Sequence, residues 1–393
     1  MHSRRLPREF TPNEITTLLE AKRRAGVRVL DLTEANPTRA GLAGAGPAEL
    51  RALADPAGAR YEPHARGAPA AREAVARYYE ERAAAAGASC GGSVSAEDLV
   101  LVASTSEAYA HLFRLLCGPG DEIVVPRPSY PLFEPLAALE VVRVEHYRLA
   151  YHDRWRLDPD SLEAALSPRT RAVVLVQPNN PTGSCLSADE IAGIESLCSE
   201  RGIAIISDEV FGDFPWPPST APLASMAGDR RALTFVLSGL SKLCGMPQMK
   251  LAWIAIAGPA AAKSEAMLRL EWIADLFLSV STPVQLALPT LLQARHPFQD
   301  AVRRRVGTNL ARLRALGNAG AAFRVLEGVG GWSAVLATPA RSGDFALDAL
   351  AKQDVLVHPG HFYDIAPEGH AVVSLLPEPE TFEEGTARLG SLW

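Results

Sequence analysis

Three short polar runs each follow an apolar stretch of the 393-residue sequence. They are Asn-Asn-Pro-Thr-Gly at 179–183, Ser-Asp-Glu at 207–209 and Ser-Gly-Leu-Ser-Lys at 238–242. Ligands bind at the carboxyl ends of strands in an open α/β sheet, so these runs can meet at one site. A lysine can hold an aldehyde cofactor as a Schiff base, while an acid partners its pyridine nitrogen. Asn180, Asp208 and Lys242 are therefore candidates for a pyridoxal phosphate site.

A fourth polar run has the chemistry of a phosphate site. Ser104, Thr105 and Ser106 end one predicted strand and begin a predicted helix. The free backbone N–H groups and the dipole of a helix N-terminus attract anions, and hydroxyl groups add further donors. We therefore predict that a phosphate group binds at this turn.

The segments around these runs predict the fold class. From about residue 95 to residue 260, apolar runs rich in Val, Ile and Leu alternate with segments of helical period. This pattern is typical of βα units around a mostly parallel sheet. We predict strands at 99–103, 122–126, 171–177, 203–207, 232–238 and 251–256, and helices at 107–116, 187–200 and 259–275. The expected fold is α/β, a mostly parallel central sheet with flanking helices.

The pattern changes after about residue 280 and predicts a smaller α+β domain. Two long helices precede strands at 331–338 and 371–375, with a helix at 344–352 between these strands. The first residues hold an amphipathic helix at 12–24 and a strand at 27–32. We expect an N-terminal arm at 1–40 that packs on the small domain, a large cofactor-binding domain at 41–285 and a small C-terminal domain at 286–393.

Composition and charge disfavour several classes of partner. Lys and Arg number 39 against 45 for Asp and Glu, and the net charge of -6 is the wrong sign for a nucleic-acid partner. No run of 18 apolar residues occurs, so neither export nor a membrane span is expected. The five cysteines are odd in number and lack C-x-x-C spacing, which argues against disulfides and zinc and favours the cytoplasm. His358 and His361 lack a third ligand, so we expect no metal.

The ordered set of runs resembles the aspartate aminotransferase family, the class I and II aminotransferases of fold type I. The resemblance extends from Leu-Thr-Glu-Ala-Asn-Pro at 32–37 to Phe-Glu-Glu-Gly at 382–385. It implies that Lys242 is the Schiff-base lysine and the proton carrier. It also implies that Asp208 partners the pyridinium nitrogen and that Asn180 donates to the phenolate oxygen of pyridoxal phosphate.

The resemblance assigns roles to further residues. Tyr130 matches the aromatic residue that stacks on the cofactor ring. Tyr61 is similar to the tyrosine that reaches the phosphate of the neighbouring subunit, which implies a homodimer. The phosphate group is expected to contact Ser104, Thr105, Ser106, Ser238, Ser241 and Lys250. Lys250 stands where most relatives carry arginine, and a lysine offers a point charge without the two-pronged geometry of a guanidinium.

Two positions depart from the family pattern. Phe211 stands three residues after Asp208, where the family usually has a tyrosine that donates to the phenolate oxygen. Val372 stands where the family has the arginine that binds the substrate α-carboxylate. Arg39, Arg127 and His361 are the candidates to replace that arginine, and the alternative is that all three are surface or structural residues.

The resemblance thus implies a homodimeric aminotransferase that moves an amino group between an amino acid and a 2-keto acid. Two alternatives stay open on the same fold: a pyridoxal phosphate-dependent lyase or decarboxylase, and a catalytically silent homologue that binds the cofactor. The missing arginine is the reason why the lyase and decarboxylase are kept. Accumulation of the amine form of the cofactor would separate an aminotransferase from a lyase.

Overall fold

The computed structural model describes residues 3, 5–7, 11–42, 44–87, 93–278, 280–339, 345–365 and 369–392. Cys90 and residue 344, where one predicted helix begins, lie outside these ranges. The strands are β1 Leu30–Asp31, β2 Leu99–Val102, β3 Glu122–Arg127, β4 Arg143–Tyr151, β5 Trp155–Leu157, β6 Thr170–Val176, β7 Ala204–Asp208, β8 Thr234–Gly239, β9 Ala252–Ala257, β10 Arg324–Val325, β11 Ser333–Ala337, β12 Val355–Leu356, β13 His358–Pro359 and β14 His370–Ser374. The α-helices are α1 Glu14–Arg24, α2 Pro47–Leu50, α3 Pro69–Ala86, α4 Thr105–Leu116, α5 Phe133–Leu139, α6 Pro159–Ala165, α7 Ala188–Arg201, α8 Leu240–Leu243, α9 Ala260–Phe277, α10 Thr282–Gln293, α11 Arg295–Asn318, α12 Phe345–Gln353 and α13 Pro379–Gly390.

The large sheet has eight strands in the order β2-β9-β8-β7-β6-β3-β4-β5. The five strands from β8 to β4 in this order are parallel, whereas β9 and β5 are antiparallel to their neighbours. The six strands predicted from the sequence correspond to β2, β3, β6, β7, β8 and β9, with ends that differ by one or two residues. The mostly parallel α/β architecture is therefore confirmed, and β4 and β5 extend the sheet beyond the prediction.

Both faces of the sheet are buried, which explains its continuous apolar strands. In β6, Val173 and Leu175 pack in one core layer, and Ala172 and Val174 pack in the layer on the opposite face. Side chains alternate between the two faces along a strand, so a strand that is covered on both sides is apolar at every position. A third core cluster lies among the N-terminal and C-terminal elements.

Helix caps fix where α4 and α7 begin. The Ser104 Oγ accepts a hydrogen bond from the Glu107 N–H at 3.1 Å, and the Glu107 carboxylate accepts one from the Ala103 N–H at 2.6 Å. α7 begins with a capping box, since Ser187 and Glu190 each accept a hydrogen bond from the other's backbone N–H. Such caps satisfy the free N–H groups of a first turn, so α4 starts directly after β2.

The smaller sheet is antiparallel, in the order β10-β11-β14-β13. β1 near the N-terminus pairs in parallel with β12, so the first residues contact C-terminal elements. α10 spans residue 285, and the domain boundaries at 40 and 285 stay a prediction. Among the described residues, no helix combines the length and apolar character needed to cross a bilayer.

Candidate active site

A cleft of about 410 Å³ lies at the carboxyl edge of the large sheet and is also lined by the smaller sheet. β2 has the same direction as β8, because both strands are antiparallel to β9. The carboxyl ends of β2, β3, β6, β7 and β8 therefore meet at one edge, as the sequence predicts. The predicted site residues that line the cleft are Thr105, Ser106, Tyr130, Asn180, Asp208 and Lys242.

Asp208 ends β7 and is held by two hydrogen bonds. Its Oδ1 accepts from the Val210 N–H at 3.2 Å, and its Oδ2 accepts from the Tyr109 hydroxyl at 3.1 Å. Desolvation raises the pKa of Asp208 to about 6, although both hydrogen bonds oppose the shift. A carboxylate in such surroundings is stabilised by a cation placed beside it, because an opposite charge offsets the lost hydration.

Lys242 lies in the short helix that follows β8. Its Nζ is 5.4 Å from the ring centroid of Trp332 and 5.7 Å from that of Phe211. Desolvation lowers the pKa of Lys242, and the nearby Asp208 charge opposes this shift. A lowered pKa increases the fraction of neutral amine, which is the nucleophilic form.

Asn180 offers a free carboxamide to the cleft. Its buried Oδ1 has no hydrogen-bond partner among the described residues. The side chain of the preceding Asn179 makes three hydrogen bonds. It accepts from the Ser129 hydroxyl at 3.0 Å and donates to the Pro128 carbonyl at 3.0 Å and the Thr182 hydroxyl at 2.9 Å. Asn179 thus fixes the loop, whereas the Asn180 amide can bind a ligand.

The other predicted site residues do not line the cleft. Ser104 caps α4, Ser238 is buried at the end of β8, and Ser241 is partly buried in α8. Lys250 is exposed, and its φ of 52° lies in the left-handed region. Tyr61 is 76% exposed and lines a separate pocket.

None of the three candidates for the missing arginine lines the cleft. Arg39 pairs with Glu34 at 3.3 Å, Arg127 pairs with Asp364 at 3.3 Å, and His361 is exposed. Val372 does line the cleft, as expected for the position that it occupies in the pattern.

Sequence reasoning missed several residues of the cleft. Tyr109, Trp332 and Tyr363 line it, and so does His358, which the sequence analysis weighed only as a metal ligand. Tyr109 lies on α4 one turn after Thr105, a position that could have signalled proximity to the predicted phosphate turn. The other three come from the C-terminal part of the chain, where no strand-end motif marks them.

Comparisons with known proteins agree with this geometry. The sequence is 31% identical over 232 residues to nicotianamine aminotransferase 1 of Oryza sativa, covering 58% of this chain and 45% of that protein. It is 28% identical over 278 residues to the glutamate-pyruvate aminotransferase AlaA of Escherichia coli K12, covering 70% of this chain and 66% of that protein. The chain therefore matches less than two thirds of the length of either relative.

Solved structures share the whole fold. An alanine aminotransferase from Pyrococcus furiosus superposes with a TM-score of 0.87 at 22% identity, covering 99% of this chain and 98% of that chain. An aminotransferase from Escherichia coli superposes with a TM-score of 0.83 at 23% identity, covering 99% and 97%. The family model described as aminotransferase class I and II matches residues 27–378. This chain therefore belongs to the class I and II aminotransferases.

Proposed function

We propose that the protein is a pyridoxal phosphate-dependent aminotransferase that moves an amino group between an amino acid and a 2-keto acid. The observation that carries this proposal is the convergence of Lys242, Asp208 and Asn180 in one cleft from three different strand ends. A lysine amine, a carboxylate and a carboxamide are the groups that this chemistry needs, and the lowered pKa of Lys242 favours the nucleophilic amine.

The residues of the cleft fit the cofactor. When bound, pyridoxal phosphate supplies an aldehyde that a lysine can hold as a Schiff base and a ring that accepts electrons. The Asn180 side chain lines the cleft, where its Nδ2–H group can donate a hydrogen bond to the phenolate oxygen. Asp208 is desolvated in the cleft, so a protonated pyridine nitrogen beside it would stabilise its carboxylate, and Tyr130 offers its ring for stacking.

We propose that the phosphate group binds at the N-terminus of α4. Thr105 and Ser106 are the first residues of this helix, and both line the cleft. First-turn N–H groups have no intrahelical partner and attract an anion. Ser104, Ser238, Ser241 and Lys250 stay proposed phosphate contacts on the resemblance alone.

Lys242 has a second proposed task, which is to move a proton at the substrate. Its Nζ would take the proton from the Cα that bears the amino group and later return a proton to the same region. General acid–base catalysis is most efficient when the pKa lies near the working pH. Desolvation of Lys242 shifts its pKa in that direction.

We further propose a homodimer in which Tyr61 reaches the partner's cleft. Leu268, Trp272 and Leu276 form an apolar stripe on α9 and are 72%, 68% and 62% exposed. Large apolar side chains exposed together on one helix support an interaction site there. Sedimentation equilibrium is expected to give twice the chain mass, and Trp272→Asp is expected to favour the monomer. A wild-type monomer would contradict this proposal.

A cytoplasmic location is proposed on the state of the cysteines. Cys117, Cys185, Cys198 and Cys244 are free thiols in the part of the chain that the structure describes. Disulfides form chiefly in oxidising compartments, whereas thiols persist in the reducing cytosol. The free thiols support the proposed location.

The decisive experiment for the activity is a screen of amino donors against the protein loaded with pyridoxal phosphate. An aminotransferase accumulates the amine form of the cofactor when no keto acid is present, and addition of a keto acid restores the aldehyde absorption. A lyase or decarboxylase regenerates the aldehyde without a keto acid. Loading without any reaction across the panel would indicate a silent homologue, and failure to load would contradict the proposal.

Phe211→Tyr is expected to lower the pKa that is read from the absorption of the bound cofactor. The Phe211 ring is buried against Trp332, with centroids 5.2 Å apart, and it lines the cleft. A hydroxyl here would donate to the phenolate oxygen and favour the deprotonated state, by about one pKa unit. Phe211→Leu, which removes the ring without adding a donor, should leave the value unchanged. An unshifted titration of the tyrosine variant would contradict the expectation.

A further inference from the structure

One wall of the cleft is a face of the smaller sheet. His358 of β13 lies directly opposite Val372 of β14, and Ser374 lies opposite Ser333 of β11. Residues that are paired across strands, or two apart along one strand, share a face. The lining of the cleft by all four side chains agrees with this register.

This wall has no guanidinium among the residues that the structure describes. The ionisable side chains that line the cleft are Tyr109, Tyr130, Asp208, Lys242, His358 and Tyr363. Apart from Lys242, which is assigned to the amino group, His358 is the only one of them that contains nitrogen. Among these ionisable side chains, the nitrogen donor next to Val372 is therefore that of its cross-strand neighbour His358.

A hydrogen bond to Tyr363 holds the His358 ring. The Nδ1 of His358 lies 2.9 Å from the Tyr363 hydroxyl. Desolvation lowers the pKa of His358, which favours the neutral imidazole, although the Asp31 charge opposes the shift. Desolvation also raises the pKa of Tyr363, so its hydroxyl keeps its proton. If this hydroxyl donates to Nδ1, the ring proton resides on Nε2.

We propose that the Nε2–H of His358 binds the substrate α-carboxylate, with Tyr363 as the positioning residue that fixes the tautomer. The inference rests on the proposed aminotransferase function and deepens it by naming the group that recognises the substrate. A hydrogen bond to a charged group contributes roughly 10- to 100-fold in affinity. A single neutral donor binds a carboxylate less tightly than a two-pronged guanidinium does.

Two matched probes test this contact without transamination. 2-Methylalanine and 2-amino-2-methylpropan-1-ol have the same branched skeleton, and neither has a hydrogen on the carbon that bears the amino group. 2-Methylalanine carries a carboxylate where the amino alcohol carries a hydroxymethyl group. Calorimetric titration of the cofactor-loaded protein should show that the acid binds at least about tenfold more tightly than the alcohol.

Variants then test whether His358 is responsible for the tighter binding of the acid. His358→Phe should weaken binding of the acid roughly 10- to 100-fold and leave binding of the alcohol unchanged. His358→Gln should retain much of the preference, because its amide can donate from a similar position. Tyr363→Phe should weaken binding of the acid less than His358→Phe does. His361→Phe is the matched control outside the lining of the cleft and should bind both probes as the wild type does.

Two results would overturn the inference. The first is a loaded wild-type protein that binds both probes equally, which would indicate substrates without a carboxylate at this carbon. The second is a His358→Phe protein that loads with cofactor and keeps the full preference. Failure of the proposed function is distinguishable, because it would appear as a wild-type protein that takes up no cofactor, and the inference then falls with it.

Discussion

Lys242→Ala is expected to reduce transamination by more than roughly 10⁴-fold, the largest effect of any single change in the cleft. The variant loses the proton carrier, which by itself contributes about 10²- to 10⁴-fold, and it also loses the covalent anchor. Asn180, Asp208 and the N-terminus of α4 remain, so the variant should still bind the cofactor without a covalent bond. Single-turnover absorption measurements with the best amino donor give the rate.

Chemical reduction identifies the lysine that is covalently bonded to the cofactor, independently of activity. Borohydride reduction of the loaded wild-type protein should fix the cofactor mass on the peptide that contains Lys242, and the alanine variant should show no such addition. Lys263→Ala serves as the control, because Lys263 lies on α9 and pairs with Asp98 at 2.8 Å, outside the lining of the cleft. Cofactor mass on another lysine of the wild-type protein would refute the assignment.

Arg82→Met is expected to lower the free energy of unfolding by about 3 to 5 kcal/mol. The Nη1 of Arg82 on α3 lies 3.0 Å from the Glu209 carboxylate, and the two side chains are 3% and 0% exposed. Without Arg82, the Glu209 charge would remain in the core with only the neutral donors Ser207, Ser225 and the Met226 N–H. An unpaired buried charge is strongly destabilising, because hydration no longer compensates it.

Urea unfolding of the variant and two controls measures this effect. The double variant Arg82→Met/Glu209→Gln should recover part of the loss, because it removes the orphaned charge. Arg148→Met breaks the pair between Arg148 and Asp158, in which the arginine is 72% exposed, and should cost no more than about 1 kcal/mol. Equal losses at the buried and the exposed pair would show that burial does not set the energy of these contacts.

The Arg82–Glu209 ion pair is also connected to the candidate site, because Glu209 is adjacent to Asp208 in the sequence. Glu209 follows Asp208 directly, and its charge contributes to the raised pKa of Asp208. Arg82 and Glu209 thus join α3 to the end of β7, the strand end that carries the acid of the site.

In the large sheet, sequence patterns predicted the strands that are buried on both faces and missed β4 and β5. β6, β7 and β8 each contain a central apolar stretch, Ala172 to Val176, Ala204 to Ile206 and Phe235 to Leu237, because both faces of the sheet are buried. β4 alternates between exposed and less exposed positions and carries Arg143, Glu145 and Arg148, so it lacks such a run. Whether such a polar segment forms a strand depends on the strand with which it pairs rather than on its own composition.

The sequence by itself determined the class of fold and the strand-end set of Asn180, Asp208 and Lys242, because parallel strands bring their carboxyl ends to one edge. Only the tertiary structure showed that the Tyr109 hydroxyl contacts Asp208 and that His358 lies opposite Val372. The pattern of residue types along one segment indicates how buried that segment is and whether it has helical or strand periodicity. The distance between side chains on two different elements depends on how those elements pack, and no spacing along the chain encodes it.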